Sequence, residues 1–197
     1  AVLAGVAFVL VLQLNRLTIL LSMVAAFLAA TYPFTKRFLA LPQAYLGIAF
    51  GFGIPMAYAA HTGNLPPVAW LLLLGNVFWA MAYDTEYAMV DRDDDRKIGI
   101  KTSALLFGRW DVALVMLFHL LFFAVLAVVG RMYQLGLPYF GALGLAAVLA
   151  ASQYFMIRDR SRDGCFRAFR HNNLVGGVVF AGVLAESLFG RFSAAGL

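Results

Sequence analysis

Acidic residues are concentrated in one short segment of this 197-residue sequence, where Asp84, Asp91 and Asp95 stand close together. In an α-helix with 3.6 residues per turn, separations of seven and four residues place all three carboxylates on one face. Like charges on one face repel each other, and a charge beside an apolar run costs a few kcal/mol more. A divalent cation would remove both costs. The spacing therefore predicts a metal site with Asp91 and Asp95 as ligands. Asp84, an acid within an apolar run, is a candidate catalytic residue beside them, because acids inside a membrane are often functional.

Magnesium is the metal that these residues favour. The segment has neither the Cys and His ligands that zinc needs nor a calcium-binding loop, whereas Mg²⁺ commonly binds one or two carboxylates together with substrate phosphates. Lys97 and Lys101 follow the acids and suit phosphate oxygens, although flanking charge at a membrane surface explains them nearly as well. The alternative for the acids is a solvated, mutually paired helix end, which we expect for Asp93 and Asp94.

The rest of the chain is apolar enough to lie in a membrane. Hydrophobic residues make up 63% of the sequence and charged residues 13%, against about a quarter in an ordinary soluble domain. A bilayer core of about 30 Å needs about 20 apolar residues in helix. The sequence predicts an all-α, polytopic membrane helix bundle. Its roughly seven transmembrane helices are expected at 1–14, 17–34, 44–60, 67–88, 111–130, 138–157 and 172–189.

Single residues inside these spans predict how the helices pack and begin. Gly47 and Gly51, four residues apart, leave room for a second helix to approach closely, which matters in lipid because packing replaces the hydrophobic drive. Pro55 predicts a kink rather than a break, since neighbouring helices can satisfy the backbone groups that it frees. Asn172 stands at the start of the last predicted span, where it is expected to cap the helix; the alternative is that it lines a cytoplasmic pocket.

The basic residues predict the orientation of the chain. Because loops alternate between two sides, one side receives only three basic residues, Arg16, Arg131 and Arg191. The other receives twelve: Lys36, Arg37, Arg92, Arg96, Lys97, Lys101, Arg109, Arg158, Arg160, Arg162, Arg167 and Arg170. Basic residues accumulate in cytoplasmic loops, so the acidic segment is predicted to be cytoplasmic and the chain to end outside. Topology and anionic lipid thus account for the net charge of +5, and no nucleic-acid partner is expected.

The acidic segment resembles a known family motif. Tyr83-Asp-Thr-Glu-Tyr-Ala-Met-Val-Asp-Arg-Asp-Asp-Asp95, followed by Lys97-Ile-Gly-Ile-Lys-Thr-Ser-Ala-Leu-Leu-Phe-Gly108, resembles the second aspartate-rich motif of the UbiA-type intramembrane prenyltransferases. Tyr32-Pro-Phe-Thr-Lys-Arg-Phe38, Gly51-Phe-Gly-Ile-Pro-Met56 and Cys165-Phe-Arg-Ala-Phe-Arg-His-Asn-Asn173 resemble further segments of the same proteins. The resemblance extends over nearly the whole chain, and it is greatest to members that act on 4-hydroxybenzoate in ubiquinone biosynthesis.

The resemblance implies a particular fold. Members of this kind have nine helices, and the spans predicted here correspond to helices three to nine. Residues 1–197 would then form a single integral membrane prenyltransferase domain that is truncated at its N-terminus. The family's first aspartate-rich motif, Asn-Asp-x-x-Asp-x-x-x-Asp, is not found in these residues. One half of the implied metal site is therefore missing from the sequence.

The resemblance also implies substrates and roles. A polyprenyl diphosphate would give its prenyl group to 4-hydroxybenzoate in the bacterial inner membrane, with Mg²⁺ held on the diphosphate by Asp91 and Asp95. Arg37, helped by Lys36, is the candidate for the substrate carboxylate, because a guanidinium suits bidentate binding. Tyr87 and Asn173 are candidates to line the substrate pocket beside Lys97 and Lys101. Membrane lipid is an expected partner, and no obligatory protein partner is evident.

Three other interpretations remain open from the sequence. A cation transporter could use Asp84, Asp91 and Asp95 as a conduction or coupling site, although such a protein should carry more polar residues deep within its spans. Another prenyltransferase of the same superfamily, from the haem or menaquinone pathway, would share the aspartate-rich motif. A catalytically inactive fragment is the third, because a single aspartate-rich loop cannot hold a metal from two sides.

Overall fold

The computed structural model describes residues 2–190. Their regular secondary structure is helical, and they contain no β-strand. The helices are α1 (Val2–Val11), α2 (Arg16–Thr35), α3 (Pro42–Gly51), α4 (Gly53–Thr62), α5 (Pro67–Val90), α6 (Arg92–Ile98), α7 (Ser103–Phe107), α8 (Asp111–Met132), α9 (Leu137–Ile157) and α10 (Arg162–Phe189). A single 3₁₀ turn at Gly108–Trp110 joins α7 to α8. The predicted all-α fold is confirmed.

Five segments are long and apolar enough to cross a membrane: Arg16–Thr35, Pro67–Val90, Ser103–Met132, Leu137–Ile157 and Arg162–Phe189. They include five of the seven predicted spans. The first predicted span is a helix of only 10 residues, about 15 Å long, which is half the thickness of a bilayer core. The third is divided between α3 and α4. The chain is a multi-pass membrane protein.

Pro55 explains the division of the third span. A proline has no N–H, so the carbonyl of Gly51, four residues earlier, receives no helical hydrogen bond. Only Phe52 separates α3 from α4, and its backbone stays helical, with φ −64° and ψ −17°. The feature is therefore the predicted kink, and Pro42–Thr62 follows one bent path.

Helix α5 is the centre of the bundle, with α3, α8 and α10 packed around it. Its contact with α3 depends on the predicted glycine pair. A Cβ added to Gly47 would lie 2.8 Å from the Cα of Val77 and 3.0 Å from the Cβ of Ala80. One added to Gly51 would lie 2.6 Å from the side-chain nitrogen of Asn76, whose Nδ2 donates to the Gly47 carbonyl at 2.8 Å. The two glycines form the seam between α3 and α5.

Gly47→Ala is expected to lower the free energy of unfolding by about 1–3 kcal/mol, since the new methyl group meets backbone that cannot move aside. Titration of the purified protein with denaturing detergent measures this change. Gly144→Ala is the control, because a Cβ there meets nothing within 4 Å and alanine gains up to about 1 kcal/mol in helix propensity. Equal stability of the two variants would show that the seam is not tightly packed.

The start of α9 is capped by a residue from another helix. Gly136 occupies the cap position and has no side chain to accept the free amide hydrogens. Glu186, which is 2% exposed in α10, accepts the Tyr139 N–H through Oε2 at 3.4 Å. Its carboxylate also lies against Gly136 and Gly190, where an added Cβ would come within 3.2 Å and 2.2 Å of Oε1. A negative charge at a helix N-terminus is favourable, so Glu186 joins the end of α10 to the start of α9.

The last helix begins ten residues before its predicted start. Ser161 precedes it with an extended backbone, and the helix runs without interruption from Arg162 to Phe189. Asn172 is therefore a buried mid-helix residue, and the prediction that it caps the helix was wrong. The charges of this segment predict a loop, but Gly164, Cys165 and Ala168 are buried at helical spacing and give the helix an amphipathic face.

Candidate active site

The acidic segment lies at a junction between two helices. Helix α5 ends at Val90, and Asp91 has φ −98° and ψ 6° before α6 begins at Arg92. The carbonyl of Asp91 accepts the N–H groups of Asp94 and Asp95 at 3.0 and 2.8 Å, so this residue starts the new helix. The assumption that one continuous helix carries all the acids was wrong, because the backbone changes direction at Asp91.

The three carboxylates consequently do not form the expected three-residue group. Among the residues that the structure describes, no set of three His, Cys, Asp or Glu side chains is arranged to hold a metal ion. All three side chains are half-buried, with Asp84 inside α5 and with Asp91 and Asp95 one helical turn apart at the start of α6. The roles of Asp91 and Asp95 as ligands, and of Asp84 as a catalytic group, stay predictions.

A loop from a distant part of the chain lies beside these acids. The backbone N–H of Lys101 donates to the Lys36 carbonyl at 3.2 Å, and the Lys101 ammonium donates to the Phe38 carbonyl at 3.2 Å. The Lys36 ammonium acts electrostatically on both Asp84 and Asp95. The fold therefore brings Lys36 to the acidic segment and Lys101 to the backbone of the Lys36 loop.

The charge environment of Asp95 shows that the acids repel one another. Burial of its side chain raises the pKa of Asp95 above the ordinary value, and the carboxylates of Asp91 and Asp94 raise it further, while Lys36 lowers it. Asp95 is therefore a carboxyl group that binds its proton more tightly in the folded protein than in the unfolded chain. A cation placed here would relieve this repulsion.

Asp95→Asn is expected to stabilise the metal-free protein at neutral pH. An acid with a raised folded pKa costs stability once the pH rises through that pKa, and the amide removes this cost. The gain should be at most about 1 kcal/mol because water screens the partly exposed group, and it should vanish at about pH 4 and below, where unfolded Asp is protonated too.

Unfolding measured between pH 4 and 8 in the presence of a chelator tests this expectation. Asp93→Asn is the matched control, since Asp93 is exposed and forms no ion pair among residues 2–190. A loss of stability at neutral pH in Asp95→Asn would contradict the prediction.

Arg162 is a charged neighbour of the acids that the sequence analysis did not single out. It starts α10, and its guanidinium lies 3.5 Å from the Asp91 carboxylate and 3.6 Å from that of Asp94. The sequence identifies Arg162 only as one of the basic residues between two predicted spans. Its contacts bring the start of α10 to the acids.

A buried carboxylate holds the loops around the acids together. Asp111, at the start of α8, is fully buried and accepts hydrogen bonds from Arg160 Nη2 at 2.8 Å and from Arg160 Nε at 3.0 Å. The guanidinium of Arg92 makes a further short ion pair with it, and the Val112 N–H donates to it at 2.6 Å. Because Arg92 follows Asp91 directly, Asp111 fixes the position of the acidic segment against the two neighbouring loops.

Four other predicted site residues have different surroundings. Lys97 is exposed and pairs with Asp94 at 3.3 Å, as expected for a solvated helix end. Tyr87 packs against Phe169 of α10, with ring centroids 4.9 Å apart. Asn173 lines a groove between α9 and α10. Arg37 is exposed, directly after Lys36. Their roles in substrate binding stay predictions.

Glu86 faces the interior of the bundle instead of the acidic group. Its Oε2 accepts from Asn172 at 2.7 Å, and the Oδ1 of Asn172 accepts from Trp79 at 3.1 Å. His119 of α8 approaches Oε1 of Glu86 at 3.8 Å, beyond hydrogen-bonding distance. The arrangement ties α5 to α10 below the acids.

The donor set at the α5–α6 junction fits a hard divalent cation. Asp91 and Asp95 supply carboxylate oxygens, which Mg²⁺ prefers, and the mutual repulsion of the acids favours a positive charge among them. Two carboxylates are fewer ligands than Mg²⁺ takes, so phosphate oxygens, water or further protein groups would have to complete its shell.

Comparison with known proteins decides the family. The model of the UbiA prenyltransferase family matches residues 1–174. The chain belongs to this family. A UbiA homologue from Aeropyrum pernix has the same fold, with a TM-score of 0.79 at 24% identity over 92% of this chain and 68% of that one. A digeranylgeranylglyceryl phosphate synthase gives a TM-score of 0.71 at 13% identity, over 91% of this chain and 64% of that one.

Curated UbiA relatives are considerably more similar in sequence. Proteins named 4-hydroxybenzoate octaprenyltransferase are 64% identical in Cupriavidus necator, over 92% of this chain, and 62% identical in Methylobacillus flagellatus, over 93%. The protein of that name from Nitrosomonas europaea is 60% identical over 93% of this chain. The chain spans 62–64% of the length of these three relatives.

Proposed function

We propose that the full-length protein transfers a polyprenyl group from polyprenyl diphosphate to the ring of 4-hydroxybenzoate in ubiquinone biosynthesis. The observation that carries this proposal is the identity of 60–64% to proteins named for this reaction, extending over more than nine-tenths of the chain. The charged group at the α5–α6 junction supports it, because acids and lysines at one end of an apolar bundle suit a diphosphate with a lipid tail.

The diphosphate is the substrate part that the acidic junction would bind. Asp91 and Asp95 would hold Mg²⁺, which supplies Lewis-acid stabilisation of the charge that develops on the leaving diphosphate. Lys36 lies beside Asp95, and Lys101 is held against the backbone of Lys36 and Phe38. Both lysines would contact phosphate oxygens that the metal leaves free. Asp84, close to Lys36, would stabilise positive charge on the allylic carbon as its bond to oxygen breaks.

The aromatic acceptor carries a carboxylate, which Arg37 would bind through its guanidinium with help from Lys36. The new carbon–carbon bond forms ortho to the ring hydroxyl, the bond between the prenyl carbon and the diphosphate oxygen breaks, and the ring releases one proton. Tyr87 would contribute an aromatic wall, since its ring already packs on Phe169. Lys97 and Asn173 would contact substrate only after a rearrangement of their present surroundings.

A second aspartate-rich loop would have to complete the site. Asp91 and Asp95 would provide two carboxylates on one side of a diphosphate, and no group of three or more His, Cys, Asp or Glu side chains that could hold a metal occurs among residues 2–190. We infer that the complete enzyme supplies the opposing carboxylates from outside these 197 residues. The membrane is proposed to be the bacterial inner membrane, with the acidic junction cytoplasmic, the chain ending on the periplasmic side and lipid as its surroundings.

Prenyl transfer by membranes that contain the full-length protein tests the proposal. Octaprenyl diphosphate and 4-hydroxybenzoate should give a prenylated acid when Mg²⁺ is present, and chelation should stop the reaction. The aromatic acceptor of the menaquinone pathway, supplied instead, should give no product. If only the menaquinone-pathway acceptor gives product, the protein belongs to another branch of the superfamily. If neither acceptor gives product, the result contradicts prenyl transfer to both of them.

A further inference from the structure

A groove of about 840 Å³ lies between α9 and α10, at the end of the bundle that carries the acidic junction. Its basic wall is formed by Arg167, Arg170 and His171 of α10. Its apolar wall is formed by Phe155, Met156 and Leu174. We call it the α9–α10 groove. It combines positive charge with hydrocarbon-like surface in one cleft.

The positive charge of the groove is not neutralised within the described chain. Arg167 and Arg170 are exposed, and neither forms an ion pair among residues 2–190. The guanidinium of Arg158 lies 5.5 Å from the centre of the ring of Phe155, one of the lining residues. The groove has no acidic lining residue. Its chemistry therefore suits an anion with an apolar part.

The height of the groove along α10 matches a membrane surface. The helix has 28 residues, or about 42 Å, which exceeds a hydrocarbon core of about 30 Å by roughly 12 Å. Arg167 and Arg170 follow the first residue of α10 by five and eight positions, so they stand within about 12 Å of that end. Arginines at this level meet phosphates, while Leu174 lies one turn deeper.

We propose that the α9–α10 groove is a binding site for an anionic phospholipid. Arg167 and Arg170 hold the phosphate, and an acyl chain follows Phe155, Met156 and Leu174 towards the membrane interior. Charge complementarity argues for an anionic headgroup over a neutral one, and basic pockets between helices are the usual form of such sites. The position of His171 on the groove wall is fixed by Gln153, whose Nε2 lies 3.3 Å from its Nδ1.

This site is distinct from the acidic junction. Arg162, at the first residue of α10, contacts Asp91 and Asp94, whereas none of these three residues lines the α9–α10 groove. The prenyl diphosphate substrate is also an anionic lipid, so an experiment must separate the two ligands.

Native mass spectrometry of the full-length protein in neutral detergent measures the binding. Phosphatidylglycerol and phosphatidylcholine with identical acyl chains are titrated in parallel, and the protein is expected to retain phosphatidylglycerol preferentially. Arg167→Gln combined with Arg170→Gln should lower the affinity for phosphatidylglycerol about thirtyfold, since each basic group near an anionic headgroup contributes roughly fivefold. Arg109→Gln is the matched control, an exposed arginine outside the groove, and should bind as the unaltered protein does.

Competition identifies the source of the phosphate. Inorganic diphosphate should fail to displace the phospholipid, because it has no chain to occupy the apolar wall. Displacement of phosphatidylglycerol from Arg167 and Arg170 by stoichiometric polyprenyl diphosphate would make the groove a substrate site and overturn the proposal. An unchanged preference in the double variant, or no retained phospholipid because another segment fills the groove, would overturn it too.

Discussion

Asp91→Asn is expected to lower prenyl transfer by the full-length enzyme at least a hundredfold. The amide keeps the size of the side chain but removes the negative charge that would hold Mg²⁺, and loss of one such electrostatic contact costs about 10²–10³ in rate. The Mg²⁺ concentration needed for half-maximal activity should rise as well. Product formation in isolated membranes at several Mg²⁺ concentrations measures both effects.

Two controls separate metal binding from other effects of this substitution. Arg162→Gln removes the same ion pair with Asp91 while leaving the carboxylate, so it should retain most of the activity. Asp93→Asn removes a charge from the neighbouring exposed face and should also remain active. Undiminished activity of Asp91→Asn would exclude this residue from the mechanism.

Asp111→Asn is expected to destabilise the protein by about 3 kcal/mol. The carboxylate is fully buried between Arg92 and Arg160, and removing one partner of a buried ion pair typically costs about 3–5 kcal/mol. The lower part of that range applies because the arginine side chains are 20% and 38% exposed and can be rehydrated. Denaturing-detergent titration gives the change in the free energy of unfolding.

A double-mutant cycle shows whether this loss belongs to the ion pair. Arg160→Gln in the Asp111→Asn background should cost much less than in the unaltered protein, because the partner is already gone. Asp163→Asn, at an exposed position in the first turn of α10, is the control and should stay within about 0.5 kcal/mol. Additive losses would mean that Asp111 and Arg160 act independently.

The membrane-spanning part of this fold could be predicted because hydropathy alone largely determines it. A run of about 20 apolar residues can satisfy its backbone inside a bilayer only as a helix, so hydropathy alone located α2, α5, α8 and α9. The close contact at Gly47 and Gly51 could also be predicted from the sequence, since the two glycines share one face of α3. The start of α10 was misjudged because charged residues share its first turns with a buried small-residue face.

The candidate site was predicted less completely because it depends on contacts between loops. Spacing along one ideal helix placed Asp84 with Asp91 and Asp95, and it could not reveal the change of direction at Asp91. The pairing of Arg162 with Asp91 joins residues 71 positions apart, and nothing local in either segment indicates it. Lys36 and Lys101 were identified by charge, but only folding brings them together.

The cap that Glu186 provides for α9 implies an order of events during synthesis. Glu186 lies 47 residues after Tyr139, whose backbone N–H donates to its carboxylate. At a translation rate of about 5–20 residues per second, it is made roughly 2–10 seconds after the start of α9. Until then the first turn of α9 has free amide hydrogens that only water or lipid headgroups can satisfy. The turn between α8 and α9 therefore reaches its final form only after α10 has been made.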